Sequence, residues 1–187
     1  MADFQSYCEL CWTLDENDVD RVYHDTQYGF PIDDDNELFG RLIMEINQAG
    51  LSWRTILNKQ SNFRGAYDQF DIATIAGYGK EDRTRLLSDS GIIRNKLKVG
   101  AAIHNAQIIL NLQEEYGSFK NWLDSHHPLS KEEWTKLFKK HFKFVGGEIV
   151  NEFLMSSGYL KGAHIDSCPV AEKILKTDPA WKTSRSG

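Results

Sequence analysis

The chain has 187 residues, 41% of them hydrophobic and 26% charged, with a net charge of −5. This suits a single globular domain, 1–187, with an ordinary core. No apolar run reaches the length of a membrane span, and the opening MADFQSYCEL lacks the basic-then-apolar order of an export signal, so a cytoplasmic monomer with no membrane partner is expected. The charge is uneven: residues 1–45 carry 12 acids against 2 bases, and the rest carries 15 against 20. A basic face for a polyanion is therefore allowed, although scattered solvated charge fits the composition equally well.

Three cysteines, Cys8, Cys11 and Cys168, make an odd count that argues for thiols or a metal over a disulfide framework. Cys11 stands thirteen residues before His24, and His164 stands four before Cys168. One Cys and one His from each end would complete a closed, tetrahedral, structural zinc site stapling the segments near 8–25 and 162–169. Cys8-x2-Cys11 is itself ligand-like spacing and could displace His24. Buried free thiols beside a surface histidine fit the spacing too.

From Asp34-Asp35, as N-cap candidates, a helical stripe runs through Leu38, Phe39, Leu42, Ile43, Ile46 and Ala49. Glu45 falls about 20° outside it at 100° per residue, on the edge where a carboxylate can line a pocket or simply pair with Arg41 four residues back. The stripe breaks at QAGLSW: an Ala-Gly joint at Gly50, an apolar tip at Leu51 and a large aromatic at Trp53. Core packing is an alternative for Leu51 or Trp53 taken singly.

Further helices are predicted near 54–59, 81–89, 94–116, 130–140, 147–157 and 169–176, with alternating strand patterns nearly absent; the fold class is all-α. Between the second and third of these lies LLSDSGIIRNKLKV. Gly91 suits a positive φ closing one helix, and the turn would leave backbone N–H groups free at the start of the next, a phosphate grip that reads no sequence. Arg94, Lys96 and Lys98 add charge. The pattern resembles a helix-hairpin-helix at about 81–116, and alone it is equally a plain corner. The closing SRSG, 184–187, is assigned no role.

Taken together, Cys11, YHD (23–25), YGFP (28–31), QAGLSWRTIL (48–57), FRGAYDQFD (63–71), SGIIRNKLK (90–98), FKFVG (142–146) and the His164/Cys168 pair resemble, in order, the 3-methyladenine DNA glycosylase I family. The resemblance implies a helix-hairpin-helix glycosylase fold with one structural Zn2+ held by Cys11, His24, His164 and Cys168. It also implies Glu45 as the residue that reads the flipped base, with Tyr23 and Trp53 as aromatic walls. Trp12, about one place out of register, is a further base contact. DNA contacts fall on Gly50, Leu51, Gly91, Ile92, Ile93, Arg94 and Lys96. The implied partners are damaged duplex DNA and an alkylated adenine, and the implied reaction is hydrolysis of the N-glycosidic bond of N3-methyladenine.

Such a base is cationic while attached, so it leaves readily, and the protein's task is extraction and recognition. Ionised Glu45 would accept from an amine edge and oppose a guanine-type oxygen, while the aromatic faces favour a cation. Bifunctional relatives carry a lysine after the hairpin arginine; here Asn95 stands there, which predicts no lyase step. Two departures from the family stand out: the basic stretch before FKFVG is one residue short, and Gly147-Glu148 replaces a Thr-Thr pair. A non-catalytic damage-binding protein, a relative with shifted alkylpurine specificity, or a zinc-stapled module without nucleic acid are the rival readings.

Overall fold

The computed structural model describes residues 4–183, so the 184–187 stretch lies outside it. Among the described residues every regular element is helical, as expected from the sequence. Two short helices open the chain, α1 (Tyr7–Trp12) and α2 (Val19–Thr26). They are followed by α3 (Asp35–Gln48), α4 (Trp53–Leu57), α5 (Gln60–Ala66), α6 (Ile72–Ala76) and α7 (Lys80–Ser88). The longest helix, α8, spans Lys96–Tyr116, and α9 (Phe119–His126), α10 (Lys131–His141), α11 (Gly147–Ser156) and α12 (Pro169–Leu175) complete the set. None is long and apolar enough to cross a membrane.

The core forms around α3, which is buried continuously from Leu38 to Asn47 and packs against α4, α5, α8, α9 and α11. Both aspartates at its start cap helices, but not the same one. Asp34 accepts from Glu37 N at 2.9 Å and begins α3. Asp35 accepts instead from Phe119 N, Lys120 N and Gln113 Nε2 at 2.7, 2.9 and 2.7 Å, so one carboxylate closes the start of α9. Gln113, near the end of α8, is thereby tied to the start of α3. An aromatic layer of Phe119, Trp122, Phe138, Phe142 and Phe153 fills the space among α9, α10 and α11. A small satellite cluster of Cys8, Cys168, Val170 and Ile174 joins the first and last helices, remote in sequence but packed in space.

The corner between α7 and α8 differs from its expected form. The helix closes at Asp89 with φ −77°, and Gly91 has no positive φ. Its lack of a side chain serves close approach instead, because a Cβ there would sit 2.9 Å from Asp89 Oδ1 and 3.2 Å from Asn62. Two of the free N–H groups in the first turn of α8 are not open to a ligand either: Asn95 Oδ1 accepts from Leu97 N at 2.9 Å and Lys98 N at 3.2 Å.

Candidate base pocket and metal centre

A cleft of about 430 Å³ opens between the C-terminal half of α3, the α2 helix and α11. Its floor is Glu45, 4% exposed, and its aromatic walls are Tyr23 and Trp53, with ring centroids 5.1 Å apart at 60°. The structure thus brings together three predicted site residues from three different helices, α2, α3 and α4. Trp53 is held there by its neighbour. Arg54 reaches back to Asp18 Oδ1 at 2.8 Å and Asp20 Oδ2 at 2.7 Å, tying α4 to the start of the helix that carries Tyr23.

Glu45 is not at a half-solvated helix edge, since α3 is covered all round at this level. Burial pushes its carboxyl up to about 8, opposed by the Arg41 guanidinium and assisted by Glu152. Arg41 is itself buried, donating to Tyr23 Oη and to Ser156 O, both at 3.1 Å, with its guanidinium 5.1 Å from the Tyr23 ring centre. It is a fixed cation behind the pocket and not a surface partner. Burial therefore favours the neutral form of Glu45, and a positive charge against it would favour the ionised one.

Tyr7, Tyr28, Gln48, Glu148 and Glu152 complete the lining; Tyr28 and Gln48 stand in quoted motifs without an assigned role, Glu148 is a departure from the family, and the sequence offers no reading of Tyr7 or Glu152. Tyr28 donates to Glu152 Oε2 at 3.2 Å. Glu152 lies four residues beyond Glu148, one turn along the same face of α11, and that spacing was the available signal. Trp12 is 41% exposed on α1 and does not line the cleft. The six-residue helix that carries it points the indole to solvent, and Tyr7 takes the pocket side. A larger cleft, about 590 Å³ around Asp33, Asp124, Tyr159 and Asp178, contains none of the predicted site residues.

At the rim, Gly50 adopts φ +84° with nothing within 4 Å of a would-be Cβ, and Leu51 is 38% exposed. Arg94 and Lys96 are exposed and Ile93 is half-buried. The Ile92 side chain is buried in the main core. Lys98 also turns inward. Its amine donates to Asn47 O and Ala49 O, both at 2.9 Å, satisfying the last carbonyls of α3 next to the Gly50–Leu51 tip.

The cysteine–histidine cluster contains Cys8, His24, His164 and Cys168, all buried, with donor atoms within 4.8 Å of one another. Cys11 is not part of it. Three residues apart on one helix, the two thiols share a face but stand one turn apart, and only Cys8 points toward the C-terminal segment. Cys11 Sγ is directed at Asp20 O, 3.6 Å away. Burial pushes both thiols up, Cys8 to about 11 and Cys11 to about 12, so each stays protonated unless a cation draws the proton off.

The donor set fits a tetrahedral thiophilic metal. Cys8 Sγ and Cys168 Sγ lie 3.6 and 3.5 Å from His164 Nδ1, and Cys168 Sγ lies 3.7 Å from His24 Nε2. Tetrahedral zinc bonds imply donor separations of about 3.3–3.8 Å. The far nitrogens are already committed: His24 Nδ1 lies 2.6 Å from Asp25 Oδ1, and His164 Nε2 lies 2.8 Å from Tyr28 O. A carboxylate and a carbonyl accept only, so both lone pairs face the sulfurs. Tyr28 therefore lends its carbonyl to the cluster and its ring to the cleft.

Comparison with known proteins agrees with this geometry. Residues 12–136 match the family model described as methyladenine glycosylase. DNA-3-methyladenine glycosylase 1 of Escherichia coli strain K12 is 33% identical over 179 residues, covering 86% of this chain and 95% of its own. The DNA-3-methyladenine glycosylase of Haemophilus influenzae is 32% identical, covering 85% and 96%. Among solved structures, 3-methyladenine DNA glycosylase I from Staphylococcus aureus, described for its recognition of 3-methyladenine, superposes with a TM-score of 0.78 at 29% identity, covering 88% of this chain and 97% of its own. Fold, chain-long likeness and the convergence of Tyr23, Glu45 and Trp53 give one conclusion: the chain belongs to the methyladenine glycosylase family.

Proposed function

We propose that the protein is a monofunctional DNA glycosylase that hydrolyses the N-glycosidic bond of N3-methyladenine flipped out of duplex DNA. The observation that carries this reading is a single buried carboxylate, Glu45, at the floor of a cleft walled by Tyr23 and Trp53 and opening beside the Gly50–Leu51 tip. Leu51 fills the space in the base stack, and the permissive backbone at Gly50 lets the tip approach it closely. The cationic adenine then lies between aromatic faces, each worth about 0.5–2 kcal/mol. Its amine edge meets Glu45, which ionises as the cation arrives. Because the methylated base departs as a neutral molecule, no strong general acid is required and water completes the reaction.

Two features support hydrolysis without a lyase step. Asn95 occupies the position after Arg94 and serves as the N-cap of α8. The nearby amine, Lys98 Nζ, is buried on two carbonyls and absent from the cleft lining. The α7–α8 corner acts as a helix-hairpin-helix whose exposed Arg94 and Lys96, with Gly91 and Ile93, hold the phosphate backbone. A structural zinc on Cys8, His24, His164 and Cys168 staples the ends of the chain; it supplies cross-linking and no chemistry, since four protein donors leave no open position.

The test is chromatographic analysis of bases released from methylated duplex DNA. Wild type releases 3-methyladenine, and Glu45→Gln and Tyr23→Phe release it at least about tenfold more slowly. DNA binding that weakens steeply with salt, without base release, would instead identify a damage-binding protein.

A further inference from the structure

The base cleft holds more carboxyl groups than recognition by one of them requires. Three acids line it, Glu45 from α3 and Glu148 and Glu152 from α11, and no basic side chain does. The nearest cations make their direct contacts outside the lining and act on the cleft only through charge: Arg41 donates to Tyr23 and Ser156 and draws on Glu45, and Lys131 pairs with Glu148 at 3.0 Å and draws on Glu152. Glu148 is 83% exposed at the side chain and already paired. Glu152 is more deeply set; it accepts from the neutral hydroxyl of Tyr28, 3.2 Å from Oε2, and Asn151 is a further neutral hydrogen-bond partner. A phenol orients a carboxylate without neutralising it.

We propose that Glu152 is a specificity-determining residue that makes the pocket prefer purines carrying a permanent ring cation over neutral purines of the same shape. This rests on the glycosylase reading above. Glu45 meets the amine edge of the base, whereas Glu152 acts through charge across the cleft, held in place by Tyr28. A neutral base gains nothing from it and must strip its hydration; a cationic one repays that cost. Burial and the neighbouring Glu148 both raise the carboxyl of Glu152, which accords with a group kept ready for an arriving positive charge.

Binding of two small purines is measured at neutral pH by tryptophan fluorescence. One is 3,9-dimethyladeninium, a permanent cation whose 9-methyl stands for the sugar; the other is 3-methyladenine, uncharged as the free base. Glu152→Gln removes the charge but keeps an acceptor for the Tyr28 hydroxyl. The expected result is about a tenfold loss for the cation with less than about a twofold change for the neutral base. Glu152→Asp restores most of the cation preference. Equal losses for both ligands, or an unchanged ratio in a variant that still melts like wild type, overturn the proposal. Base release from methylated DNA by wild type is run alongside. Release with an unchanged ratio in Glu152→Gln removes this inference alone, whereas wild type that neither releases base nor binds either purine removes the glycosylase reading with it.

Discussion

Glu45 shows how one residue couples stability to function. Its folded carboxyl sits at about 8 because burial disfavours the charge, against an ordinary value of 4.5. Stability from this group is complete below the ordinary value, declines as pH rises between the two, and stays low above about 8. Each unit of displacement is about 1.4 kcal/mol, so an amide in its place removes a penalty of a few kcal/mol on the alkaline side. Urea denaturation of Glu45→Gln at about pH 5 and about pH 9 is therefore expected to show little gain at the first and a clear gain at the second. Gains of equal size at both would mean that the carboxyl is not held neutral. Lys96 makes the opposite kind of prediction. It is exposed, and under the proposed phosphate role its replacement by alanine should weaken DNA binding alike on all sequences and lower the log–log salt slope by about 1.

Among the elements, the junction of α3 with α8 sets the rim of the pocket. Lys98 crosses from the hairpin to the end of α3 and holds two of its last carbonyls, with its amine also 5.8 Å from the Phe144 ring centre. Lys98→Met keeps the stem and strands both acceptors, so a loss of about 2–3 kcal/mol in urea denaturation is expected. The Gly50–Leu51 tip continues from those carbonyls, and base release from DNA should fall more than binding of free 3-methyladenine. Equal falls would show that Lys98 only supports the core. Helix periodicity made α3, α4, α7, α8, α10, α11 and α12 legible with errors of one or two residues. It missed α1, α2, α5, α6 and α9, of five to eight residues, where an apolar stripe has few turns in which to repeat; α4 and α12 are equally short and were found.

For the molecule as a whole, the thiol–imidazole cluster decides how the two ends are joined. Cys8 and Cys168 are 160 positions apart in the chain, so a metal across them closes a long loop, worth a few kcal/mol by chain-entropy reasoning. Chelation should lower the melting temperature by several kelvin and release one zinc per chain. Cys8→Ser should lose that metal, whereas Cys11→Ser should keep it and change stability only slightly, as read by metal analysis on undamaged protein. The reverse pattern would restore Cys11 as the ligand and sink the arrangement described above.

What the linear order of residues settled by itself was the all-helical class, the longer helices and the family, because these rest on periodicity and on local motifs that survive in one dimension; the family resemblance implied one site for Tyr23, Glu45 and Trp53, and the cleft brings the three together. Only the tertiary structure decided which thiol faces the histidines, since Cys8 and Cys11 have equally ligand-like spacings and differ in the direction one turn of α1 gives them. It likewise decided that Trp12 faces solvent, that Ile92 and Lys98 face inward, and that Asn95 already occupies the N–H groups expected to hold phosphate. The second carboxylate of the cleft belongs to the same class. Glu152 and Tyr28 are 124 positions apart, and nothing local to either announces the other; their meeting depends on how α11 lies across the end of α3.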